Sequence, residues 1–339
     1  LALFAQRKHP SPARLQRLWD DLRELWQAVL TEIAGLLGDY VIPLSLDAGG
    51  VRFLVAAQDA TTAIKSMQAN LEQRLNKIRG GFAPQVSCLV FREKFPLYLG
   101  LDAIYRMEER IPRLPHQPWT VKHLAEQAGK QQIIWQTPQG EVSWCVDLST
   151  GDPEQIDLWH PHVIRSHDAS GTEIKGPDRI THVTALKPGD TCLIPPATFD
   201  FMVLEGNGRR YQIVYNERDR QLYRPHLVFG QQGQAVGLLE RFEAMASLVE
   251  HTGWKSSQVK ALQGEMVELY EKWVRDVPEV LRDTGLMAWQ THVDAMLKRY
   301  LPKKEQAGLR AEMLAAVMDG RFFDAVEWST FISKGGKSG

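Results

Sequence analysis

One stretch, Tyr40 to Met107, constrains the fold of this chain more than any other. Val41 to Leu46 and Val51 to Ala56 are apolar runs on either side of Asp47-Ala48-Gly49-Gly50, a pattern that predicts a β-hairpin. Ile64, Met67, Leu71, Leu75 and Ile78 recur at steps of three and four. They predict one apolar stripe on a helix that Asp59 caps and Gly80-Gly81 stops. Val86 to Phe91 has the length and apolarity of a buried strand, and the segment ending at Met107 reads as a further helix. Hairpin, crossover helix, strand and helix together predict an α+β layer.

The flanks organise around that unit. Ser11-Pro12 and Gly38 bracket a helix over residues 12–37, with Leu15, Leu18, Leu22, Leu25, Val29 and Ile33 as its expected buried face. Prolines near Arg113-Leu114-Pro115 end the unit, giving a first domain over residues 1–113. Residues 114–233 predict a β-rich module. Ile133-Ile134-Trp135 and Val142-Ser143-Trp144 flank Pro138-Gln139-Gly140, and Phe199–Glu205 and Arg209–Tyr215 flank Gly206-Asn207-Gly208. Residues 234–339 read as a helical bundle of four or five helices, starting at Leu238, Leu239, Phe242, Met245 and Leu248.

Composition excludes several classes. Of the 339 residues, 44% are hydrophobic and 24% charged, yet no apolar run reaches the ~20 residues that span a bilayer, so no membrane partner is expected. No signal peptide is visible, and Cys88, Cys145 and Cys192 are few and scattered, which points to a reducing, cytoplasmic setting without a disulfide framework. The net charge of −1 does not by itself announce nucleic acid, so any such contact rests on local basic patches.

The hairpin, running on through VRFLVAAQDATTAI, resembles the degenerate palm hairpin in the large subunit of type III CRISPR effector complexes. RGGFAPQVSCLVFREKFPLYLGLDAIYRM resembles the strand and helix that follow it in that family. GDPEQIDLWHPH and GDTCLIPPATFDFMVLEGNGRRYQIVY resemble its inserted β-rich region, so the likeness covers roughly residues 12–300. The resemblance implies a degenerate ferredoxin-like palm with a β-rich insertion and a C-terminal helical bundle. It implies other effector subunits, guide RNA and target RNA as partners. Active relatives make cyclic oligoadenylate from ATP in a palm with a tandem-aspartate turn; here that turn holds one acid, Asp47. Residue 1 is leucine and the strand expected before the hairpin is missing, so the chain is expected to be the C-terminal portion of a longer one.

Each candidate site also has a plainer reading. Two-metal palm chemistry needs bridging carboxylates. Asp47 alone cannot supply them, and Asp102 reads as a solvated helix residue. Asp47, Gly49 and Gly50 therefore read as a degenerate palm turn, with the carboxylate capping local backbone N–H groups. Lys77, Arg79, Arg92 and Lys94 surround Gly80-Gly81 in sequence as a basic patch for RNA, and Arg209-Arg210-Tyr211 joins cations to an aromatic. Lys298-Arg299 and Lys303-Lys304 are expected at a solvated helix end. His160 and His162, with His167 and His182 nearby in sequence, lack the ligand set of a zinc site, so no metal and no cofactor are expected. The expectation is a non-catalytic subunit that positions RNA. A cyclic-oligonucleotide synthetase and an RNA-independent adaptor are the alternatives.

Overall fold

The computed structural model describes residues 12–110, 115–138, 140–148, 161–204, 237–275, 277–302 and 306–332. It is a mixed α+β protein whose contacts divide it into two units. Both are discontinuous in sequence: residues 1–85 with 113–198, and residues 86–112 with 199–339. The three successive segments expected from sequence are thus interleaved. Among the described residues, no helix is long and apolar enough to cross a membrane.

The first unit opens with α1 (Pro12–Leu37), which ends where Gly38 takes φ +69°, a backbone state that costs glycine little. β1 (Ile42–Asp47) and β2 (Gly50–Leu54) form the expected antiparallel hairpin. α2 (Ala60–Arg74) follows. Trp26, Val29 and Ile33 of α1 pack with Ala63, Leu71 and Leu75 into one apolar cluster, which Val41, Leu46, Val51 and Phe53 of the hairpin complete. Asp59 does not cap α2: it has helical φ and ψ and makes no side-chain cap, because a 3₁₀ turn over Ala57–Asp59 already leads into the helix. The helix also stops at Arg74 rather than at Gly80; residues 75–81 continue as turns that keep Leu75 and Ile78 on the same cluster. Of the six residues expected to form the buried face of α1, only Val29 and Ile33 are buried; Leu15 is exposed and Leu18, Leu22 and Leu25 are half-buried.

The same unit holds a six-stranded sheet: β4 (Gln117–Gln127), β5 (Lys130–Thr137), β6 (Gly140–Asp147), β7 (His162–His167), β8 (Ile180–His182) and β9 (Thr191–Ile194). Their order is β6-β5-β4-β9-β7-β8, with every neighbouring pair antiparallel. Alternate residues along β5 and β6 face inward, so Ile133, Trp135, Trp144 and Val146 meet Trp119, Val121, Val163, Cys192 and Ile194 in one core. The β5–β6 hairpin predicted around Pro138-Gln139-Gly140 is present, with Thr137 paired to Gly140.

The second unit contains β3 (Gln85–Phe91), α3 (Leu97–Arg110), β10 (Thr198–Leu204) and the short β11 (Gly237–Leu238). The three strands form one sheet in the order β11-β10-β3. A ferredoxin-like arrangement would place β3 beside the β1–β2 hairpin; here the hairpin forms a sheet of its own and β3 pairs with β10 instead. Leu238, expected to open the helical region, lies in β11. Five α-helices follow among the described residues: α4 (Phe242–Leu248), α5 (Ser256–Tyr270), α6 (Arg282–Tyr300), α7 (Ala307–Met318) and α8 (Arg321–Ile332). α7 and α8 are parted at Gly320, which takes φ +84°. Phe199 of β10 meets Phe242 and Trp328, and Phe201 meets Trp328, at ring separations of 4.5–5.8 Å, which ties the strand to α4 and α8.

Candidate nucleic-acid interface

The hairpin turn shows what its single acid does. Asp47 Oδ1 accepts a hydrogen bond from Gly49 N–H at 2.6 Å and another from Gly50 N–H at 3.2 Å. The Ala48 carbonyl accepts from the Trp26 indole at 3.3 Å, which fastens the turn to α1. Neither glycine adopts positive φ. Asp47 Oδ1 is thus engaged by its own turn, the plain Asx geometry. Asp102 on α3 is bound by Arg106 Nε at 2.8 Å, four residues on. No group of three or more His, Cys, Asp or Glu side chains that could hold a metal occurs among the described residues.

Lys77 and Arg79 belong to the first unit, and Arg92 and Lys94 to the second. Arg79 lies over the Trp144 ring at 4.9 Å and pairs with Glu72 at 3.6 Å, so its guanidinium works as a stitch to the six-stranded sheet. Its neighbours reinforce the seam. Asn76 Nδ2 donates to Asp147 Oδ2 at 2.8 Å, and Lys130 Nζ reaches Asp147 Oδ1 at 2.9 Å. Partial burial disfavours the charged Asp147 carboxylate, but the bonds from Asn76 and Lys130, with Lys77 and Lys130 as nearby charges, outweigh it and hold the group below the ordinary carboxylate range. Gly80 makes the approach possible: a Cβ there would sit 2.5 Å from Val163 Cγ1 and 2.9 Å from the His162 carbonyl oxygen on β7.

Gly80→Ala is therefore expected to push residues 75–81 off β7, at a cost of about 1–3 kcal/mol. Limited trypsinolysis reads this as faster cleavage after Lys77 or Arg79. An unchanged cleavage rate would contradict the close packing.

Arg92 and Lys94 are different. Both are exposed in the turn between β3 and α3, and on α3 itself Tyr98 is 71% and Tyr105 47% exposed. Tyr98 and Tyr105 are seven residues apart, so they share one helix face about 10 Å apart. α3 is set by its other face, where Ala103 packs with Phe95 and Leu204, and Met107 is fully buried. Sequence reasoning picked out the cations but missed the tyrosines; their spacing of seven was the available signal. Cations beside exposed aromatic rings can bind phosphates and stack bases.

The remaining candidates carry less. Arg209, Arg210, the Gly206-Asn207-Gly208 hairpin, His160, Lys303 and Lys304 lie outside the described residues. His162 packs edge-on against His182, its partner in the β7–β8 register, with ring centres 5.3 Å apart. His167 is exposed with Nδ1 3.1 Å from the Ser166 hydroxyl. Lys298 pairs with Asp294 at 2.5 Å, as a solvated helix end does. Burial pushes the thiols of Cys88 and Cys192 up to about 12, which favours the neutral thiol over the reactive thiolate. No protein-family model, no curated protein and no solved structure matches the chain.

Proposed function

We propose that this chain is a non-catalytic large-subunit component of a type III CRISPR effector complex, which supports assembly and positions guide and target RNA. The reading starts from the four resembling segments. The observation that carries it furthest is the exposed Arg92, Lys94 and Tyr98 at the β3–α3 turn, a polyanion-compatible surface on a chain of net charge −1. Such a chain attracts RNA weakly at long range and relies on neighbouring subunits to bring the strand to it. On this reading residues 40–107 descend from a ferredoxin-like palm whose hairpin has lost its paired acids and whose hairpin and third strand now lie in different sheets. The Asp47 turn supports the non-catalytic part, since its oxygen is engaged by Gly49 and Gly50.

The test uses the complex assembled on the full chain with its co-purifying partners. Single-stranded RNA affinity is measured against salt. Replacing Arg92 and Lys94 with alanine is expected to flatten the slope by roughly 0.7 for each phosphate that is no longer held. Replacing Lys77 and Arg79 should leave it unchanged, because Arg79 is committed to Trp144 and Glu72. A complex without RNA would favour the adaptor reading. A cyclic product from ATP and Mg²⁺ that disappears in Asp47→Ala would replace the proposal with the synthetase reading.

A further inference from the structure

The apolar stripe of α1 is longer than the core that covers it. Its second half, at Trp26, Val29, Leu30 and Ile33, is buried. The first half continues the same face through Leu15, Leu18, Trp19 and Leu22, yet Leu15 is 42% and Trp19 59% exposed, with Leu18 and Leu22 half-buried. A two-turn extension of an amphipathic face beyond its own core is an unfilled contact surface.

The charges on this half say what would fill it. Residues 12–18 carry Arg14 and Arg17 and no acid, whereas residues 19–25 carry Asp20, Asp21 and Glu24 against Arg23 alone. That order opposes the helix dipole: α1 has no acidic residue in its first turn and no basic residue in its last. An isolated helix gains nothing from it. Laid antiparallel on a second α1, the same order becomes complementary. The basic end of each helix meets the acidic end of the other, Leu15 comes opposite Leu22, and Trp19 and Leu18 meet near the two-fold axis. Arg17 and Asp21, four residues apart, lie toward the same flank, and in an antiparallel pair that flank faces its own counterpart. Parallel pairing would set like charges together.

We propose that the uncovered half of α1 is a homotypic docking surface that takes the same segment of a second copy of this chain, antiparallel. Two turns of helix bury less area than a standard stable interface, so the dimer is weak, micromolar or weaker, and it loosens with salt because surface charges set its register.

Sedimentation velocity on the full chain, over a range of concentrations at low and high salt, tests this. A monomer–dimer equilibrium that weakens with salt is expected. Trp19→Gln removes the central ring from a solvent-facing site and should weaken the dimer about tenfold or more, with the far-ultraviolet circular dichroism unchanged. Arg17→Glu and Asp21→Arg should each abolish self-association when alone. Mixed together they should associate again. The carboxylate introduced in one variant then faces the guanidinium introduced in the other, while the native Asp21 of the first and Arg17 of the second form the other pair on the same flank. A chain that stays monomeric at low salt overturns the proposal, whether another segment or another protein covers the stripe. So does a dimer indifferent to Trp19→Gln, or a mixture that fails to restore association.

Discussion

Gly285→Ala is expected to loosen the helical part of the second unit, although it adds one methyl group. Gly285 lies in the first turn of α6, where that helix crosses the π-helical turn Glu271–Arg275 at the end of α5. A Cβ there would sit 1.8 Å from the Trp273 carbonyl oxygen and 2.9 Å from its carbonyl carbon. The obstruction is backbone, so no side-chain rotation relieves it. The two helices must part, and with them the buried Trp289, whose indole donates to the Met266 carbonyl at 2.9 Å and meets Tyr270 edge-on. Alanine gains up to about 1 kcal/mol of helix propensity over glycine. Overpacking against rigid backbone costs ~1–3 kcal/mol and occasionally more. Against rigid backbone the cost falls at the upper end of that range, so the clash should win by roughly 2 kcal/mol, lowering hydrogen-exchange protection across residues 256–300 by roughly thirtyfold. Gly264→Ala, an exposed mid-α5 site with nothing within 4 Å, is the control and should raise protection instead. If both substitutions act alike, the crossing is looser than described.

That crossing illustrates what a sequence conceals. The helices were readable because their apolar spacing is local: Val259, Leu262 and Met266 lie on one face of α5 and all three are buried. The need for glycine at position 285 is not local, since it arises from the carbonyl of Trp273 on another segment. The hairpin at Asp47 was legible for the same reason the helices were, because its turn closes within four residues. The place of β3 was not. A short apolar run such as Val86 to Phe91 specifies a strand but not a neighbour: it pairs with β10, more than a hundred residues away, and only Val86 of the run is buried there. β4 escaped notice for two reasons. A register shift between Val121 and His123 breaks its alternation, and its turn into β5 uses Ala128 at φ +50°, a conformation sequence rules reserve for Gly or Asn.

The candidate site was legible to a similar depth. Charge is visible in sequence, so Arg79 and Arg92 stood out equally. Their fates separate only in three dimensions, where Arg79 finds the Trp144 ring and Arg92 stays in solvent. The Asp47 turn could be judged from sequence because its partners, Gly49 and Gly50, are close by along the chain.

The six-stranded sheet rests on three tryptophans, and removing the middle one is expected to have the largest effect of any single change in the first unit. Trp119, Trp135 and Trp144 come from three adjacent strands, with ring centres 5.1–6.2 Å apart and tilted or edge-on planes. Trp135 is wholly buried. Trp135→Ala should cost about 3–5 kcal/mol, a large share of the 5–15 kcal/mol that holds a typical domain. Arg79 would lose its footing as well, since the Trp144 face it covers depends on that packing. Trp135→Phe is the informative partner. The Trp135 Nε1 hydrogen is buried with no hydrogen-bond acceptor among the described residues, as is that of Trp144. An unpaired buried donor costs ~1–3 kcal/mol, and phenylalanine removes it while keeping one aromatic ring in the cluster. The missing second ring and the relieved penalty should nearly offset, leaving Trp135→Phe within about 1.5 kcal/mol of the native chain. Hydrogen exchange over β4, β5 and β6 measures both variants on the same strands. Phenylalanine as damaging as alanine would mean that the full indole outline, rather than apolar volume, is what the sheet requires.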